Sequence, residues 1–169
     1  PKDKTFGASR YHVVRAVTGH HGGGSDPDRM GVPLTAEAAK KVPTVFHRTS
    51  RMNLQGVMMH GVRPEGAGKG TRATVMFSPC SALDTRSGML KGRDRDEYNA
   101  ELIFRAEDLV KEFGDRVRVS NNGVISVAAT VPAYLIWRAI TWSAKKGGGK
   151  EKPWVLYDAT ACLLYTSDA

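Results

Sequence analysis

A chain of 169 residues with 41% hydrophobic content can bury a real core, and its length suits one domain. The net charge of +8 and pI near 9.7 favour polyanionic partners, nucleic acid first, while saying nothing about fold. No run approaches the roughly 20 apolar residues of a bilayer span, no secretory leader opens the chain, and Cys80 and Cys162 lack the neighbours of a disulfide framework or a zinc site.

The expectation is therefore a protein of a reducing, intracellular compartment, cytoplasmic or nuclear, with no membrane partner and no metal. The first residue is Pro1, so a fragment or processed chain is expected.

Residues 10–17 alternate like a strand and end on RAVTGHH, which sets Arg15, His20 and His21 beside a Gly/His/Asp loop over 18–28. A short helix is predicted over 35–41, with Thr35 as N-cap and Pro43 as its stop, followed by a strand over 44–48. Ser50 is placed to cap a helix whose face carries Leu54, Val57 and Met58, and Gly61 ends it. A glycine-rich basic loop over 65–72 leads to a strand over 73–78. The charged stretch 91–99 precedes an apolar strand over 102–104, and a helix follows over 106–113, stopped by Gly114. RVRVSNNGVISVAA alternates on both sides of Asn121, Asn122 and Gly123, which makes it the clearest hairpin in the chain. Residues 134–142 read as another apolar strand, 145–152 as a Gly/Lys linker, and the last sixteen as a tail without organisation. The domain boundary is set at 1–143, with 144–169 as basic linker and tail.

One local motif points elsewhere. GAGKGT over 66–71 resembles the phosphate loop of nucleoside monophosphate kinases, in which glycine amides and a lysine hold phosphates at a helix N-terminus. That chemistry needs a strand before the loop and a helix after it, whereas the predicted order here is helix then strand. A flexible basic loop is the better reading.

Several short motifs in order resemble one family, the NAD-dependent RNA 2′-phosphotransferases of tRNA splicing. RAVTGHH matches the family's R-A-N-Q-G-H-S, and HRT at His47 matches its H-G-T. NLQGVMMHGVRP matches the next helix and G-L-x-P, and RATVMFS matches R-x-H-V-H-L-S. SNNGV followed by VPAYLIW matches S-x-N-G-V and then V-P. The resemblance spans about residues 10–137.

It implies an α+β fold of the ADP-ribosyltransferase type, with split antiparallel β-sheets and short flanking helices. It also implies NAD as cofactor and, as partner, RNA carrying a 2′-phosphate, tRNA in the first place, acted on by a monomer. In the family the RNA phosphate attacks the NAD ribose as nicotinamide leaves. The ribose 2″-hydroxyl then attacks phosphorus, giving dephosphorylated RNA and ADP-ribose cyclic phosphate. By resemblance Arg15 grips the 2′-phosphate, a task suited to a permanently charged planar fork, and His20 supports the same pocket. Arg93 is the further catalytic arginine, with Arg86 and Arg95 as alternatives. His47 and Thr49 lie under the NAD ribose and its adenylate side, Arg72 and Ser78 flank the second strand of the cleft, and Asn122, Gly123 and Val124 lie near the nicotinamide. Taken singly, Arg15 is a solvated strand end, His47 a satisfied strand histidine and the asparagine turn a plain hairpin.

Two departures stand out. The family's N-terminal lobe, with its adjacent Arg-His pair, is expected to be missing, and the second strand carries Thr74 and Met76 where the family has histidines. A catalytically degenerate basic RNA-binding module on the same fold is the alternative, and an ADP-ribosyltransferase with another nucleic-acid or protein acceptor is a third reading.

Overall fold

The structure is a computed structural model that describes residues 31–64, 73–84, 98–143 and 153–160. Its elements, in chain order, are β1 (Val32–Pro33), α1 (Ala36–Lys41), β2 (Thr44–Thr49), α2 (Leu54–His60), β3 (Val75–Phe77), β4 (Ala100–Arg105), α3 (Ala106–Phe113), β5 (Val117–Val119), β6 (Ile125–Val127), β7 (Ile136–Thr141) and β8 (Trp154–Asp158). They form two antiparallel four-stranded sheets, one in the order β1-β5-β6-β3 and the other β2-β4-β7-β8. The class is mixed α and β with short helices. No helix among the described residues is long and apolar enough to cross a membrane.

The local signals act as their chemistry suggests. Thr35 accepts from the Ala38 amide and so answers one of the donors that every helix start leaves open. Ser50 caps a 3₁₀ turn, Arg51–Asn53, that feeds α2. Gly61 ends α2 at φ +76°, and a β-carbon there would lie 2.4 Å from the Val131 carbonyl oxygen. Only glycine serves, because positive φ and a touching backbone both exclude a side chain. The close approach is also productive, since Val62 and Val131 exchange both backbone hydrogen bonds at 2.8 Å.

Three differences from the sequence reading are informative. The strand expected over 73–78 is shorter, and Ser78 leaves it to bridge to Phe46 of the other sheet. Residues 134–142 begin with a 3₁₀ turn, Ala133–Leu135, before β7. Trp154–Asp158, expected in an unorganised tail, is instead β8, paired with β7 from Arg138↔Asp158 to Thr141↔Trp154. Its side chains are mostly exposed and show no buried face, so no alternation marks the segment, and the partner strand supplies its order through backbone bonds.

The main core lies between the sheets and the helices. Phe77, Leu102, Phe104, Leu109, Ile125 and Ile136 are completely or almost completely buried in it. Along β2 and β4 the side chains alternate. Val45, His47 and Thr49 share the core-facing side with Phe104, Leu102 and Ala100, their register partners. The opposite face carries Phe46 with Ile103, and Arg48 with Glu101. There a second cluster of Ala82, Ile140 and Trp142, with Leu83 and Ile103 against it, is covered by the loop that follows β3.

Candidate functional site

The two sheets meet at one seam. Phe46 donates its amide to the Ser78 carbonyl at 2.9 Å and receives the Ser78 amide at 2.8 Å, so β2 and the end of β3 are tied by a two-bond bridge. Next to that bridge, His47 Nδ1 lies 2.9 Å from the Met76 carbonyl oxygen. A carbonyl only accepts, so Nδ1 carries a hydrogen and donates it there. The imidazole also stands edge-on to Phe77, with centroids 5.9 Å apart, and Phe77 stands edge-on to Phe104 at 5.1 Å. A ring held by a backbone acceptor and an aromatic edge has little freedom to turn. Thr49, two positions further on the same face, is buried.

The β5–β6 turn reaches the same seam. Phe77 pairs with Ile125, which brings the residues just before Ile125 beside those just after Phe77. Gly123 has φ +80°, and a β-carbon on it would lie 3.5 Å from the Pro79 ring. The sequence allowed positive φ at Asn121, Asn122 and Gly123; among the described residues no non-glycine adopts it. The Gly123 amide donates to the Ser120 carbonyl at 2.8 Å, while the Val124 amide makes only a long 3.4 Å contact with Asn122 Oδ1. Ser120 Oγ is within reach of both Asn122 Oδ1 and the Val124 carbonyl. The turn thus engages the Gly123 amide internally and leaves the exposed Asn122 side chain on its rim.

Of the residues singled out from the sequence, His47 and Ser78 lie at the seam, Gly123 approaches Pro79 beside it with Asn122 and Val124 in the same turn, and Thr49 is buried two positions beyond His47 on β2. The Ser78 hydroxyl donates to the Cys80 carbonyl at 2.7 Å and accepts the Cys80 amide at 3.1 Å, so it shapes the loop. Arg15, His20, Arg72 and Arg93 lie outside the described residues, as do Arg86 and Arg95, the strand expected over 10–17 and the GAGKGT segment. The elements flanking that last segment are α2 before and β3 after, the reverse of the order a phosphate loop needs.

Sequence reasoning missed Glu101. It is completely buried in the central strand β4, where Oε2 accepts from Ser81 Oγ at 2.6 Å and Oε1 from the Ala82 amide at 2.7 Å. A buried carboxylate persists only with hydrogen bonds and a counter-charge near it, and the register puts Arg48 directly across the strand pair. This anchors the loop after β3, the segment that carries Ser78 and Pro79, over the outer face. The available signal was an acidic residue inside AELIF, an otherwise apolar strand. At the other edge Arg138 Nε donates to Asp158 Oδ2 at 2.7 Å. The hydroxyl and amide of Thr160, with the Arg138 charge, hold the Asp158 carboxyl below its ordinary 3.8.

Among the described residues no group of three or more His, Cys, Asp or Glu side chains could hold a metal. Compared with protein-family models and with curated proteins, the chain matches none.

Proposed function

We propose that the chain is an NAD-dependent RNA 2′-phosphotransferase built on an ADP-ribosyltransferase-like pair of sheets, with the seam as its cofactor cleft. One observation carries the reading: motifs far apart in sequence, HRT, the end of RATVMFS and SNNGV, converge around the Phe46–Ser78 bridge. A core alone does not require a histidine and an asparagine-rimmed turn at one seam.

The donor set fits a dinucleotide. An imidazole suits a sugar hydroxyl, the Thr49 hydroxyl lies on the same side of the strand, and the Asn122 amide suits a carboxamide or a phosphate oxygen. NAD supplies an electrophilic ribose carbon with nicotinamide as leaving group. The residues of this chain bind and orient. His47 and Thr49 hold the ribose side, Asn122 and Val124 the nicotinamide side, and Arg15, His20 and an arginine at 93 present the RNA phosphate. A phosphate is already a nucleophile, so the protein's work is positioning and charge stabilisation.

The test is incubation of the protein with RNA bearing an internal 2′-phosphate, with and without NAD. NAD-dependent loss of the phosphate, reduced about 100-fold or more in His47→Ala, is the expected result. RNA binding without turnover, or without any binding of NAD, selects the non-catalytic module instead.

A further inference from the structure

A second constellation lies at the other end of β2, on the face opposite His47. In the β4–β7 pairing Ile103 faces Arg138 and Phe104 faces Ile136, so Trp137 is the extra residue of a β-bulge. A bulge re-aims the side chain it carries. Here it sets the indole beside two guanidinium groups, Arg138 at 4.3 Å and Arg105 at 5.1 Å from the ring centre. Next to the ring is a hollow of about 410 Å³ lined by Lys40, Pro43, Thr44, Arg105, Glu107 and Trp137. Lys40 comes from the last turn of α1, Arg105 from the end of β4 and Glu107 from the first turn of α3, so three elements converge to shape it.

We propose that this hollow is a subsite for one nucleotide of single-stranded RNA, with a base on the Arg105–Trp137 layer and the adjoining phosphate against Arg105 and Lys40. A guanidinium lying on an indole offers a flat cationic plane, and bases stack on such planes as well as on rings. Among the described residues Arg138 is paired with Asp158, whereas Arg105 and Lys40 have no ion-pair partner. The Glu107 carboxylate repels a compact anion and accepts from an exocyclic amine. The hollow therefore suits a ligand that joins one phosphate to a donor-bearing base. The choice of RNA as polymer rests on the function proposed above; the hollow does not share residues with the seam.

The probe is an oligoadenylate of about twelve ribonucleotides without any 2′-phosphate, titrated against the full chain by fluorescence anisotropy. Arg105→Ala is expected to weaken binding about tenfold and to lower the slope of log affinity against log salt by about one. Arg105→Lys keeps the charge and loses the plane, so affinity falls while the salt slope stays. Lys111→Ala, at an exposed position of α3, leaves binding unchanged. The proposal is overturned if Arg105→Ala and Lys40→Ala bind the oligonucleotide as the unmodified chain does, or if inorganic tripolyphosphate competes as well at equal phosphate concentration. His47→Ala should lose turnover and keep oligoadenylate binding. A chain that binds the oligomer through Arg105 yet never uses NAD would end the phosphotransferase reading and leave this one standing.

Discussion

The two faces of the β2-β4-β7-β8 sheet solve opposite problems with the same strands. The inner face is apolar, with Val45, Leu102, Phe104 and Ile136 in the core, and admits one imidazole whose Nδ1 is answered by a backbone carbonyl. The outer face carries the ionic groups: Arg48 across from Glu101, Arg138 on Asp158, and Arg105 over Trp137. Polar groups inside are tolerated singly because the backbone satisfies them. Charges outside are held by register partners, by a covering loop or by an aromatic ring, and their effect on stability is smaller as exposure grows.

That contrast can be broken in graded steps. Phe104→Ala removes a fully buried ring from the inner face and should cost about 3–5 kcal/mol, read from urea or thermal unfolding. Glu101→Gln keeps the volume but mismatches the Ser81 and Ala82 donors beneath the loop, a loss of about 1–3 kcal/mol. If the loop after β3 is held mainly by this carboxylate, protease nicking near Ser81 should rise more than global unfolding predicts. Gly123→Ala forces a side chain into positive φ and should cost about 1–2 kcal/mol; since the added carbon only touches Pro79, a smaller loss would show that the turn relaxes. The mildest lever is pH. Asp158 has a folded value below its ordinary 3.8, so its contribution is complete above that value and is lost as pH falls through the folded one. Trp154 fluorescence should report β8 loosening in acid, and Asp158→Asn should remove that acid step. An acid transition identical in Asp158→Asn would place its origin elsewhere.

Much of the fold was legible because its signals are short-range. Thr35, Ser50 and Gly61 mark helix ends by hydrogen bonds and φ values that involve near neighbours, and Asn122-Gly123 marks a hairpin for the same reason. β8 was not legible, since an edge strand with little buried surface leaves no period in the sequence and depends on β7 for its order. Glu101 was visible as an anomaly but not as a function, because its partners Ser81 and Ala82 come from another segment. The bulge at Trp137 was invisible, for a one-residue slip is a property of two strands together.

By itself the amino-acid order determined the local elements, the excess of positive charge and the short motifs that resemble an RNA 2′-phosphotransferase. Which of these stand together was decided by tertiary structure alone: the bridge from Phe46 to Ser78 that sets His47 against Met76 and Phe77, and the convergence of Lys40, Arg105 and Trp137 on a hollow. The reason is range. Caps and turns are settled within a few residues, whereas a site assembled across sheets exists only after burial of the shared core has offset the entropy of holding distant segments in place.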